Sequence, residues 1–204
     1  MSSHPSYLRV FLTFVRNSLV REMMFPANFI IETISSFGWV LMNVGFYLLI
    51  FRYTDQIGPG SSDGGAWDKY QFFVFIATSM LINSMVQMFF MSNADEFSEL
   101  IRTGGLDFAL LKPIDTQFLI SLRRIEWASL ANLLVAIILM CYALPRVQGF
   151  TFSVWQIVLY PVYVLAGIAI LYSLMIVLAA ASVWLGRNSS IYDFWFYITT
   201  FSRY

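Results

Sequence analysis

The chain has 204 residues, of which 59% are hydrophobic and 18% aromatic, while only 12% are charged. A soluble domain carries about twice that share of charge, and its surface needs polar residues that this sequence does not supply. The composition therefore excludes an ordinary soluble enzyme and a disordered chain, and it indicates a polytopic membrane protein. The 12 basic and 12 acidic residues balance, so no charge pattern for nucleic-acid binding is present.

Apolar segments of bilayer-crossing length recur along the chain, since a helical span takes about 20 residues. The apolar segments are 29–51, 70–91, 128–144, 155–185 and 191–204. The last is too short to cross a bilayer alone, and Pro161 in the long fourth segment predicts a kink or an interfacial first turn. We therefore predict an all-α, polytopic helical membrane protein, with an amino-terminal segment 1–28 before a transmembrane domain over 29–204.

The basic residues predict how the spans are oriented, because cytoplasmic loops carry an excess of lysine and arginine. When the connections are taken alternately, one set holds Arg9, Arg16, Arg21, Arg102, Lys112, Arg123, Arg124 and Arg187, and the other holds Arg52, Lys69 and Arg146. The larger set predicts a cytoplasmic amino terminus and a cytoplasmic loop over 92–127. The glycine-rich loop 58–65 and the connection 145–154 are then on the outer side.

The segment before the first span has basic and apolar residues at helical spacing. Its polar positions recur at intervals of three and four residues: Arg9, Thr13, Arg16, Asn17 and Arg21. Its apolar positions occupy the other face: Leu8, Phe11, Leu12, Val15 and Leu19. This pattern predicts an amphipathic helix in the cytoplasmic headgroup layer. Two interpretations stay open: a lever that links a cytoplasmic partner to the first span, or a plain membrane anchor.

The loop 92–127 is the most distinctive stretch of the sequence. Asp95–Arg102 reads as a charged helix that extends the second span, and Gly104-Gly105 ends it. A short apolar patch over 106–111 follows, and Lys112-Pro113 breaks the chain again. We predict a compact helical elbow with an apolar tip. Such a tip fits a groove on a soluble partner, although packing of the loop on its own helices is an equal alternative.

Five polar residues inside the apolar segments are candidates for function, because polar groups within a bilayer are costly. They are Glu32, Asn43, Asn83, Gln87 and Asn132. These side chains either line a substrate pathway or make interhelical hydrogen bonds, and the second interpretation is the commoner in membrane bundles. Glu126 beside Arg123 and Arg124 is interpreted as part of an interfacial charge pair.

Motifs for soluble-type chemistry are absent from the sequence. It contains no G-x-x-x-x-G-K-[ST] phosphate loop, no G-x-S-x-G and no H-E-x-x-H. His4 is the only histidine and Cys141 the only cysteine, so neither a His/Cys metal cluster nor an internal disulfide can form. We predict no catalytic, cofactor-binding or metal-binding residue in this chain.

The run from Ser98 to Asp115 resembles the cytoplasmic loop of ABC transporter permeases of the type-2 exporter class. It is most similar to a bacterial branch whose loop reads E-L-I-R-x-G-x-L-D-x-x-L-L-K-P in outline. The segment Arg16–Asn28 is similar to the approach of that branch to its first span. The last four residues, Phe201–Tyr204, resemble its arrival at a following proline.

The resemblance implies a permease with an amphipathic connecting helix, six spans, a cytoplasmic amino terminus and a bacterial inner-membrane location. It implies that loop 92–127 carries a coupling helix that docks on a cytoplasmic ATPase, and that ATP and Mg²⁺ bind to that ATPase. It also implies a second permease subunit, identical or similar but distinct. The implied ATPase-coupling residues are Glu99, Arg102, Gly104, Gly105, Leu106, Asp107, Phe108, Leu110, Leu111, Lys112 and Pro113, and the implied connecting helix carries Arg9, Arg16 and Arg21.

The sequence departs from the family pattern at its end, where the sixth span and the preceding extracellular hairpin are not present. We expect a truncated chain, the alternative being a fragment that forms no complete pathway alone. Two other functions are kept as alternatives to a permease: a membrane-embedded lipid-modifying enzyme, and an assembly scaffold without transport. An enzyme needs clustered acidic or histidine side chains within the spans, and a permease needs an ATPase partner.

Overall fold

The computed structural model describes residues 6–57, 66–147, 153–185 and Tyr197, and these residues are almost entirely helical. The helices are α1 (Tyr7–Met23), α2 (Pro26–Tyr53), α3 (Lys69–Val86), α4 (Ser92–Thr103), α5 (Leu106–Leu110), α6 (Thr116–Leu122), α7 (Ser129–Ala143) and α8 (Val154–Leu185). A π-helical turn, Gln87–Met91, joins α3 to α4, and a 3₁₀ turn, Leu144–Arg146, follows α7. The strands β1 (Gln56–Ile57) and β2 (Trp67–Asp68) pair antiparallel.

Four helical segments are long and apolar enough to cross a membrane: Pro26–Tyr53, Lys69–Ile101, Ser129–Arg146 and Val154–Ala181. They confirm the predicted all-α polytopic architecture. The second segment runs past its predicted end, through the π-helical turn into α4. Helix α8 continues on both sides of Pro161. The fifth predicted segment, 191–204, lies outside the described residues apart from Tyr197, so the number of spans stays a prediction.

The chain divides into two compact units, each with its own apolar core. The span unit covers 27–84 and 128–166, and the elbow unit covers 1–26, 85–127 and 167–204. The core of the span unit lies on one face each of α2, α3 and α7, formed by Val40, Tyr47, Phe51, Phe73, Ile76, Met80, Ala136 and Ala143. These positions recur at three, four or seven residues, as packed helix faces require.

Helix α8 contributes its second half to the core of the elbow unit. Met175 and Ala179 of α8 are fully buried there against Val86, Met91 and Ala94. The small residues Ala94 and Ala179 allow the two helices to approach closely, as is common between helices in membranes. The hydroxyl of Ser98 donates to the carbonyl of Ala179 at 3.4 Å. The start of the loop 92–127 is therefore packed on the second half of α8.

Candidate functional site

The end of α4 is set by two glycines, as the sequence predicts. Gly104 has a φ of 73°, in the left-handed region, and its N–H bonds to the carbonyl of Ile101 at 3.2 Å. A Cβ at Gly105 would lie 3.0 Å from Cδ2 of Leu100. The backbone angle at Gly104 therefore favours glycine, whereas a side chain at Gly105 would need a small shift of Leu100.

The apolar tip of the elbow projects away from the loop that carries it. Phe108 is 75% exposed, Leu111 80% and Leu110 54%, while Ala109 is only 8% exposed and faces inward. Leu106 is partly buried. Packing of these side chains on their own loop, the alternative considered from the sequence, is therefore not what the described residues show.

Polar residues surround this tip. Asp107, Lys112 and Pro113 are exposed, and Glu99 of α4 is partly buried. Arg102 belongs to the last turn of α4, but its side chain lies outside the described residues. The chain then turns back into α6, where Asp115 caps the helix by accepting a hydrogen bond from the N–H of Phe118 at 2.9 Å. The elbow thus has a defined shape on both sides of its tip.

Helix α1 makes hydrogen bonds to the non-helical segment 123–127. This segment connects α6 to α7, and we call it the strap. The hydroxyl of Ser18 accepts a hydrogen bond from the N–H of Ile125 at 3.1 Å. The carboxylate of Glu22 accepts from the N–H of Trp127 at 2.9 Å. Ser18 and Glu22 are four residues apart and so lie on one helix face. The N–H groups of Ile125 and Trp127 are therefore both bonded to side chains of α1.

The N–H groups of Arg124 and Glu126 bond to the end of the second span. The side-chain oxygen of Asn93 accepts from the N–H of Arg124 at 2.8 Å, and its amide donates to the carbonyl of Arg124 at 2.7 Å. The carbonyl of Met88 accepts from the N–H of Glu126 at 2.9 Å. Four consecutive strap N–H groups thus bond alternately to the second span and to α1. This alternation is the pattern of an extended segment held from both sides.

Charged side chains reinforce the strap. Arg123 and Arg124 form ion pairs with Glu96 of α4, with N–O distances of 2.7 and 2.6 Å. Burial lowers the pKa of the Arg124 guanidinium, and the Glu96 carboxylate acts in the opposite direction. The carboxylate of Glu126 accepts a hydrogen bond from the hydroxyl of Ser92 at 3.3 Å. The sequence interpretation, which placed Glu126 with the arginines, did not identify Glu96.

Replacing Glu96 by Gln tests how much these ion pairs contribute. We expect a loss of only about 0.2–1 kcal/mol in stability, because the arginine side chains are 43% and 39% exposed and water screens the pairs. Thermal unfolding in detergent at low and high salt would measure it. The difference between the parent and Glu96→Gln should shrink as salt rises. A larger, salt-independent loss would contradict this assignment.

Helix α1 presents three kinds of surface. Arg9, Arg16 and Arg21 are exposed, and so are Leu8 and Leu12. A third face carries the aromatic contacts to α6, with ring centroids 5.2 Å apart for Tyr7–Phe118 and 6.2 Å for Phe14–Phe118. The helix is therefore bonded to the strap and packed on α6, while its location in the headgroup layer stays a prediction.

The polar residues of the spans make local hydrogen bonds. The amides of Asn43 and Asn83 donate at 2.9 Å to the carbonyls of Trp39 and Ser79, one turn earlier in the same helix. Glu32 is exposed, Gln87 begins the π-helical turn, and Asn132 is partly buried. Both roles considered from the sequence, interhelical hydrogen bonding and lining a substrate pathway, stay predictions. Within the described residues no group of three acidic, histidine or cysteine side chains suits a metal ion.

Sequence reasoning missed the residues that hold the strap: Ser18, Glu22, Asn93 and Glu96. The hydrogen bonds of Ser18, Glu22 and Asn93 to the strap join positions 31 to 107 residues apart, and no local pattern encodes such a pairing. A weak signal was present in the spacing of Ser18 and Glu22, which are four residues apart on a helix whose arginines were taken as its polar side.

A family model for ABC-2 family transporter proteins matches residues 37–204, which is most of the chain. The chain belongs to the ABC-2 transporter family. This confirms the resemblance at the level of the ABC-2 permease class, whose members are membrane subunits of transporters and are not themselves catalytic. The bacterial branch suggested by the loop stays a prediction. No curated protein and no solved structure matches the chain significantly.

Proposed function

We propose that this ABC-2 family chain is the permease subunit of an ATP-driven exporter, coupled to a separate cytoplasmic ATPase through the loop 92–127. The exposed apolar tip of α5 carries the proposal. Phe108, Leu110 and Leu111 are exposed between two helix breaks, and water disfavours such exposed apolar side chains unless another surface covers them. ATP and Mg²⁺ would bind to that partner.

The surroundings of the tip support a protein partner. A typical docking patch has an apolar centre and a polar rim, and here Asp107 and Lys112 flank the apolar side chains. A short helix inserted into a groove, with its apolar residues as anchors, is a recurrent mode of recognition. Glu99 and Arg102 would contribute rim charges. Such charges affect the rate of association more than its strength.

The remainder of the proposal concerns the assembly. Two permease subunits, identical or similar but distinct, would form the pathway in a bacterial inner membrane, with the amino terminus in the cytoplasm. Residues Glu32, Asn43, Asn83, Gln87 and Asn132 would line that pathway or the interface between the permeases. Membership of the ABC-2 family makes the alternative of a lipid-modifying enzyme less favoured. An assembly scaffold would differ from a permease because it would have no ATPase whose activity responds to cargo.

Co-purification tests the function. The tagged permease should bring an ATPase chain with it, identified by intact mass, and the ATP hydrolysis of that complex should respond to a candidate cargo. The matched control is the same preparation from the Phe108→Asp variant. Purification of the permease without any ATPase under mild conditions would contradict the proposed function.

Cysteine labelling tests the orientation. With Cys141 replaced by Ser, single cysteines at positions 60 and 149 should react with a membrane-impermeant thiol reagent added outside sealed cells, because the distribution of basic residues predicts that those loops lie outside. Cysteines at positions 4 and 105 should react only after the cells are opened. Labelling of position 105 from outside would contradict the cytoplasmic placement of the elbow.

A further inference from the structure

The π-helical turn Gln87–Met91 lies where the second span ends and the elbow begins. A π-helical turn inserts an extra residue into an α-helix, loosens the regular hydrogen-bond ladder, and is found frequently at functional sites. Two of its carbonyls accept bonds from outside the regular ladder. Phe89 O accepts from the Asn93 side chain at 2.7 Å, and Met88 O accepts from the strap N–H of Glu126 at 2.9 Å.

The side chain of Asn93 makes hydrogen bonds both to the π-helical turn and to the strap. One amide hydrogen goes to Phe89 O, the other to Arg124 O, and its oxygen accepts from the Arg124 N–H. The residue is 2% exposed. A primary amide carries two donors and an acceptor on one planar group. Aspartate has no donors for the two carbonyls, and leucine, of similar size, makes none of the three bonds.

We propose that Asn93 is a positioning residue of the coupling apparatus, which holds the strap at a fixed separation from the π-helical end of the second span. A force on the elbow then moves the strap, the end of the second span and α1 together. The π-helical turn does not deform under that force. This role rests on the proposed function, since it assumes that a partner pushes on the elbow. The fixed separation itself is a property of the permease alone.

Spin labels on the full-length permease test the fixed separation without any ATPase. In a Cys141→Ser background, labels at the exposed positions Asn17 of α1 and Thr103 of α4 should give a single narrow distance distribution. Asn93→Leu should broaden it or add a second distance, because the strap and α1 then separate from α4. Ser173→Leu is the matched control, since its hydroxyl is exposed and bonds to the carbonyl of Ile170 within its own helix, and the distribution should stay narrow. A narrow distribution in Asn93→Leu would overturn the proposal.

Asn93→Asp covers the case in which the leucine variant does not fold. It keeps the acceptor for the Arg124 N–H and loses both donors, so a broadened distribution is expected and an unchanged one would overturn the proposal. In complex with the ATPase, the label distance of the parent should stay the same during ATP hydrolysis, because the labelled helices move together. Asn93 variants should retain the partner, but their label distance should change during hydrolysis. If no ATPase binds the parent permease, the proposed function fails, but the distance comparison still decides the role of Asn93.

Discussion

Phe108→Asp should release the ATPase from the permease while the permease still inserts and folds. Phe108 is 75% exposed, so the folded permease alone loses little when the ring is removed. An apolar anchor at the centre of an interface contributes about 1–3 kcal/mol on truncation, which weakens a complex roughly tenfold or more. Aspartate adds a further cost, because its charge would be desolvated without a partner. A pull-down with the tagged permease, quantified against the parent, measures the effect.

The neighbouring residues supply the controls for this experiment. Leu110→Asp should act in the same direction, because Leu110 is also exposed beside Phe108. Asp107→Asn lies on the same helix, is exposed, and should leave binding close to the parent level, since rim groups contribute little. Retention of the ATPase and of transport by both aspartate variants would show that the tip is not the docking surface.

The parts of the fold that depend on local sequence were predictable. Each span follows from a continuous apolar run, and the end of α4 follows from Gly104, the described residue that adopts a positive φ. The separation of the elbow into α4, α5 and α6 follows from the breaks at Gly104-Gly105 and Lys112-Pro113. In each case the residues that cause the feature are neighbours in the chain.

The hydrogen bonds that hold the strap were not predictable from the sequence, because they are tertiary contacts. Asn93 follows an apolar run and reads as an ordinary polar residue at the end of a span. Only the fold shows that its amide meets Arg124, and that Ser18 of a separate helix meets Ile125. The π-helical turn also lacks a sequence signal here, since its residues, Gln87–Met91, read as a continuation of the α-helix.

Removing the strap acceptors on α1 should destabilise the elbow unit. Ser18 is 3% exposed and Ile125 2% exposed, so Ser18→Ala leaves a buried N–H without its acceptor, at a cost of about 1–3 kcal/mol. Glu22→Leu should do the same to the N–H of Trp127. Thermal unfolding in detergent measures both. Thr13→Ala is the matched control, because its hydroxyl is exposed and bonds to the carbonyl of Arg9 within α1, and it should change stability by less than about 0.5 kcal/mol.

The double variant Ser18→Ala/Glu22→Leu separates a structural role of α1 from a role in coupling. With both acceptors gone, α1 keeps its aromatic contacts to Phe118 but loses its bonds to the strap, and proteolysis in α1 should accelerate. The tip of α5 is untouched, so the ATPase should stay bound in the pull-down. If α1 belongs to the coupling apparatus, hydrolysis by the bound ATPase should continue while transport falls. Transport at the parent level with α1 demonstrably released would show that α1 is a membrane anchor and not a lever.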